Sequence, residues 1–183
     1  MSTHQTAITR ICRTLAHSTR LQLLWAIFED GDLCVRDLAL QTGISAPNAS
    51  NQLQALSEKE LIIPTRDKLK IFYQPVKRPE TLCAKALLPA LKDCQDNDVS
   101  FKKIIHEATA FTHERRIQVV RCLAASDETF GSLIKKTGMT TPSLNRHLKK
   151  LFDRKVVQKQ GKVYQLQQPG SMLARCLLKL AVQ

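Results

Sequence analysis

Aromatic side chains are scarce in this sequence: one Trp, two Tyr and six Phe among 183 residues. Glycine (six) and proline (seven) are about as rare, which excludes a collagen-like or low-complexity chain. No apolar run reaches the ~18 residues that a membrane-spanning helix needs. The opening stretch, Met1 to His17, has neither a long apolar core nor a small-residue cleavage site, so a secretory signal is not expected. None of the six cysteines forms a C-x-x-C pair, and no Cys/His cluster has finger spacing. In a cytosolic chain those thiols stay reduced and serve mostly as small core hydrophobes. Catalytic signatures are missing as well: there is no G-x-G-x-x-G, no P-loop and no H-E-x-x-H. The expected protein is cytoplasmic and not an enzyme.

Acidic residues are also in deficit. Twenty-eight Lys and Arg face sixteen Asp and Glu, a net charge of +12. An excess of that size on a small chain points to an anionic partner, most simply nucleic acid. The excess is uneven. Residues 1–95 hold 12 basic and 9 acidic side chains, whereas residues 96–183 hold 16 and 7.

What the sequence does have is itself, twice. His17-Ser-Thr-Arg-Leu-Gln-Leu-Leu returns as His113-Glu-Arg-Arg-Ile-Gln-Val-Val, with His, Arg and Gln identical. The stretch from Thr42 to Leu56 returns from Thr137 to Leu151, with Thr, Gly, Pro and two Leu at a constant offset of 95. The ends match too: Pro79–Leu88 resembles Pro169–Leu178. The chain is therefore one segment of about 90 residues used twice. Polar residues 93–100 form the seam, giving domains at 1–94 and 100–183 with a linker at 95–99.

Each repeat follows one pattern. An amphipathic first segment (Ile8, Ile11, Leu15; Ile104, Ala108, Phe111) precedes a second helix that starts after His17 or His113. A short helix then ends at Gly43 or Gly138, residues suited to a left-handed turn. Ser45 caps the next helix, whose Ala49, Leu53 and Leu56 make one buried stripe, repeated by Leu144, Leu148 and Leu151. Hairpins follow, around Arg66–Lys70 and around Lys159–Lys162, where Gly161 supplies a positive-φ position. Closing helices are expected at 80–92, kinked or shortened by Pro89, and at 171–181. This order is that of a winged helix-turn-helix. The expected fold is mainly α with small β-hairpins: two tandem winged helix-turn-helix domains forming a pseudo-twofold internal dimer. A rival arrangement has two beads that each pair with another chain as a homodimer.

Leu15-Ala-His-Ser-Thr-Arg-Leu-Gln-Leu-Leu, Asp32-Leu-Cys-Val-Arg-Asp-Leu-Ala and the stretch from Thr42 to Leu56 resemble the ArsR-type family of bacterial winged-helix repressors. The resemblance covers most of residues 8–75 and returns most clearly around Met139–Leu151. It implies a regulator of transcription that binds double-stranded DNA in the bacterial cytosol or nucleoid. Family members also sense metals. One of their patterns is Cys-Val-Cys in the third helix, but here Cys34 is followed two residues later by Arg36. A single thiolate beside an arginine cannot complete a three-coordinate soft-metal site, so no metal and no cofactor is expected.

A recognition helix with one apolar stripe leaves its other face for the major groove. In the second repeat that face carries Thr140, Thr141, Ser143, Asn145, Arg146, His147, Lys149 and Lys150. Arg pairs bidentately with guanine, Asn with adenine, and Lys with phosphate. In the first repeat the face carries Ser45, Asn48, Ser50, Asn51, Gln52 and Gln54, which hydrogen-bond but bring no cation. Arg66, Lys68, Lys70, Lys159 and Lys162 place charge on the two wings. His17 and His113 are expected to cap or pack. The expected function is a sequence-specific repressor using both helices and both wings. The alternative is a tandem winged-helix scaffold or interaction subunit without specific DNA readout.

Overall fold

The structure, a computed structural model, describes residues 3–68 and 70–183. Met1 and Ser2, within the stretch read for a secretory signal, and Leu69, within the charged turn 66–70, lie outside the described residues. The first repeat runs α1 (Thr3–Leu15), α2 (Ser18–Asp30), β1 (Leu33–Cys34), α3 (Val35–Thr42), α4 (Ala46–Ser57), β2 (Ile62–Asp67), β3 (Lys70–Pro75) and α5 (Leu82–Asp96). The second runs α6 (Phe101–Ala108), α7 (Glu114–Ala125), β4 (Glu128–Thr129), α8 (Phe130–Thr137), α9 (Thr141–Asp153), β5 (Val157–Gln160), β6 (Val163–Leu166) and α10 (Met172–Val182). The architecture is mainly helical with two small antiparallel wings, in keeping with the sequence pattern. No described helix is long and apolar enough to cross a membrane.

Each wing is three-stranded rather than a plain hairpin, in the orders β1-β3-β2 and β4-β6-β5. The extra strands hold two residues each, pairing Leu33 with Tyr73 and Glu128 with Tyr164. Strands so short show no alternation in sequence. The two turns differ: Gly161 takes φ +60° in the second wing, whereas Lys68 takes φ +52° in the first. A left-handed lysine carries a steric cost that glycine avoids.

Helix α5 runs unbroken through Pro89 to Asp96, so the expected shortening does not occur. Pro89 is exposed, and the carbonyl its missing N–H leaves behind can meet water instead. The extension carries Gln95 into the fold. Its amide donates to the Trp25 carbonyl at 3.2 Å and to Glu29 Oε1 at 3.1 Å. The irregular seam is thereby reduced to residues 97–100.

By contact the chain falls into two compact units, and these are not the sequence repeats. One unit joins the chain up to Arg13 with His106–Gln183; the other is Thr14–Ile105. Thus most of α1 groups with the second repeat, where Arg13 Nε donates to the Thr112 carbonyl at 3.0 Å. The start of α6 groups with the first, where the Phe101 ring meets Trp25 edge-on at 5.5 Å.

The arginine common to both repeats holds the corner before the second helix. Arg20 donates to the Thr14 carbonyl at 3.0 Å. Arg116, buried, donates to the carbonyls of Ala110 (2.7 Å) and Thr109 (2.9 Å) and to Thr112 Oγ1 (2.7 Å). Burial, followed by the charges of Arg154 and Arg13, lowers its pKa to about 10, so it stays charged at neutral pH.

Candidate nucleic-acid interface

Both recognition helices are positioned by the turn before them. Gly43 and Gly138 adopt φ +66° and +62°, ending α3 and α8 in the left-handed region that glycine occupies without strain. Ser45 then caps α4, its hydroxyl accepting from the Asn48 amide at 3.4 Å; Thr140 occupies the same place before α9 without a side-chain bond. Ala49, Leu53 and Leu56 seat α4 on the core, as Leu144, Leu148 and Leu151 seat α9.

The two outward faces differ in what remains free. On α4, Gln52 is half-buried, accepts from Arg20 Nε at 2.8 Å and donates to Asn48 Oδ1 at 3.1 Å. Gln54 donates to Glu58 Oε1 at 3.3 Å. Exposed Ser50 and Asn51 keep their side chains unengaged among the described residues. On α9, Thr141, Asn145, Arg146, Lys149 and Lys150 are all exposed and Ser143 is half-buried. Among the described residues, no hydrogen bond or ion pair ties down the side chain of Asn145, Arg146 or Lys149.

His147 is different. Its polarity suggests the groove-facing side, yet it is 3% exposed, with its ring 4.6 Å from that of His113. The reason for this correction is positional: residue 147 lies three after Leu144 and four before Leu151, on the apolar stripe itself. Its Nδ1 is buried without a partner among the described residues. Burial first, then His113 and the arginines 116, 146 and 115, lower its pKa to about 4. His113 does cap: its Nδ1 accepts from the Arg115 amide at 3.1 Å. His17 makes no side-chain cap bond, and its Nδ1 is buried and unpartnered among the described residues.

On the wings Arg66, Lys68, Lys70, Lys159 and Lys162 are exposed. Arg66 Nε donates to the Lys68 carbonyl at 3.3 Å, and Lys159 Nζ lies 5.4 Å from the Tyr164 ring centre. The second wing is anchored by a group that sequence reasoning overlooked. Buried Glu128, on β4, accepts from Lys136 Nζ and from the hydroxyls of Ser132 and Ser126. The Lys136 bond above all, then Ser126 and Ser132, brings its pKa down to about 2. The first repeat has Leu33 and Gln41 at the matching positions, so comparing the repeats gave no signal for it.

Cys34 caps α3 and donates through Sγ to Asp37 Oδ2 at 2.9 Å. Among the described residues no group of three or more His, Cys, Asp or Glu is placed to hold a metal. Titration with cadmium should give no stoichiometric thiolate-to-metal absorbance that Cys34→Ser abolishes; such a band would overturn the expectation of a metal-free third helix.

Comparison with known proteins comes to the same helices. The family model described as bacterial regulatory protein, arsR family, matches residues 17–63 and again 113–159. The chain is 37% identical over 67 residues to the HTH-type transcriptional regulator KmtR of Mycobacterium tuberculosis. That match covers 37% of this chain and 51% of the relative, so the chain spans about half the length of the curated relative it matches. No solved structure matches.

Proposed function

Since this chain belongs to the bacterial ArsR family of regulatory proteins, we propose that it is a transcriptional repressor that reads double-stranded DNA with two recognition helices and two wings. The observation that carries this reading is the face of α9. Asn145, Arg146 and Lys149 stand exposed and unengaged on one side of a helix whose other side is core. Arginine and asparagine are the side chains that pair bidentately with guanine and adenine, and lysine suits phosphate.

In this reading Thr140, Thr141, Ser143, Asn145, Arg146, Lys149 and Lys150 meet one half-site. Ser45, Asn48, Ser50, Asn51, Gln52 and Gln54 meet the other, and Arg66, Lys68, Lys70, Lys159 and Lys162 reach flanking phosphate or minor groove. His147 acts from behind, seating α9 rather than touching a base. The duplicated segments 1–94 and 100–183, joined through 95–99, work as an intrachain pseudo-dimer. Fusion replaces a bimolecular step by an effective concentration that reaches the mM range.

The two heads are unequal, because the matching positions to Arg146 and Lys149 are Asn51 and Gln54. An asymmetric operator is therefore favoured over a perfect palindrome. Arg146→Ala is expected to weaken specific binding at least about tenfold, ~1.4 kcal/mol, and Asn51→Ala to shift base preference with a smaller loss. Titration of labelled duplex at fixed salt checks both. Equal losses, or a larger one at Asn51, would make the basic helix a solvated face and favour a scaffold without specific readout.

A further inference from the structure

The same groove occurs in both repeats, between the second helix and the short helix that follows, and its two copies have opposite chemistry. In the first repeat it encloses about 420 Å³ and is lined by Trp25, Glu29, Asp30 and Gln41, with the Phe101 ring set against Trp25. Among the described residues its lining holds two carboxylates and no cation, and Gln41 spans it to Asp30 at 3.1 Å. In the second repeat it encloses about 730 Å³. Arg121 stands there in place of Trp25, Ala125 in place of Glu29 and Lys136 in place of Gln41, and Arg115 adds a third cation; the carboxylates set against them are Glu114 in the lining and Glu128, which pairs with Lys136.

One edge of the Arg121 guanidinium is engaged within the fold. Its Nε donates to the Ala181 carbonyl at 2.9 Å, which fixes the guanidinium, while Nη2 is withdrawn from water without a partner among the described residues. Arg115 is fixed likewise, Nη1 donating to the Thr137 carbonyl at 3.2 Å. Lys136 is held by Glu128. A pre-positioned pair of guanidinium groups and an ammonium match a phosphate group, which accepts several charge-assisted bonds at once. The volume is that of a metabolite site rather than of a lone ion.

We propose that the groove between α7 and α8 is a binding site for a small phosphorylated metabolite, held by Arg115, Arg121 and Lys136. None of these three cations belongs to α9 or to a wing, so the site needs no DNA to be occupied. Its first-repeat copy is narrower, bordered by the Trp25–Phe101 ring pair and by two carboxylates, and is unsuited to anions.

Calorimetric titration of the full chain without DNA, at constant ionic strength, tests this with pyrophosphate and with a sugar phosphate beside its unphosphorylated sugar. Saturable 1:1 binding of the phosphorylated probes alone is expected. Arg121→Gln should weaken it at least tenfold. Ala125→Glu, on an exposed position, should do the same by restoring the first repeat's carboxylate, and it keeps the test open if the arginine variant unfolds. Both variants should leave affinity for random duplex within about threefold. No saturable binding, binding that both variants leave unchanged, or a tenfold loss of duplex affinity in both would overturn the proposal; the last would make the groove a contact for the DNA backbone.

Discussion

Arg116→Ala is expected to destabilise the protein by about 3 kcal/mol or more, the largest effect of any single substitution away from the apolar core. The guanidinium is buried and donates to two backbone carbonyls and one hydroxyl. Truncation removes three charge-assisted bonds and leaves the Ala110 carbonyl without its donor, while the Thr109 carbonyl keeps only the Thr112 hydroxyl; a buried polar group so orphaned costs about 1–3 kcal/mol. Lysine should rescue little, since a point charge cannot reproduce the fork that spans Thr109, Ala110 and Thr112. Arg20→Ala should cost less, because Arg20 is half-buried and its Gln52 partner lies on a partly solvated helix face. Urea midpoints of the three variants at pH 7 check the order. An Arg116→Ala loss below about 1 kcal/mol would show the corner held by packing alone.

Acid should loosen the second recognition helix as soon as the pH falls below about 6.5. His147 has a folded-state pKa of about 4, against an ordinary value of 6.5. Above pH 6.5 it is neutral in both states and costs nothing. As pH falls below 6.5 the unfolded chain takes up a proton that the folded chain refuses, so stability is lost progressively down to about pH 4. The full loss is about 3 kcal/mol, of which about 2 kcal/mol has gone by pH 5. His113 and His17 shift the same way, through burial first and then neighbouring arginines, and add to the slope. His147→Gln, which installs the residue of the first repeat, should flatten most of the dependence between pH 7 and 5. Denaturation of both proteins at those two pH values decides the matter. Parallel losses in wild type and variant would place the titrating group elsewhere.

These two residues also show how far the sequence can be read. Arg116 is visible as an identity between repeats, but identity alone does not say which carbonyls a guanidinium will reach. His147 carries two conflicting signals: its spacing from Leu144 and Leu151 puts it on the buried stripe, while its polarity suggests the groove, and the spacing wins. The helices, the left-handed glycines and the wings follow from local chemistry, so the pattern places them to within a few residues. Strands of two residues, such as Glu128–Thr129, owe their existence to pairing with distant β6, which no local pattern encodes. The same holds for Gln95. It reads as linker because it is polar, and is buried because Trp25 and Glu29 offer it partners some seventy positions away.

The grouping of first helices has a consequence for the chain as an object that can be cut. A break within residues 97–100 divides both compact units at once, because Thr14–Ile105 spans it and the other unit draws on chain from either side. Neither product of such a break is a finished unit: one carries an α1 whose packing lies with the other fragment, and the other carries the Phe101 that belongs against Trp25. The fragments complete each other, so the nicked protein is expected to remain one particle. The covalent seam supplies the order in which the pieces find one another, and the exchanged helices supply what keeps them together afterwards.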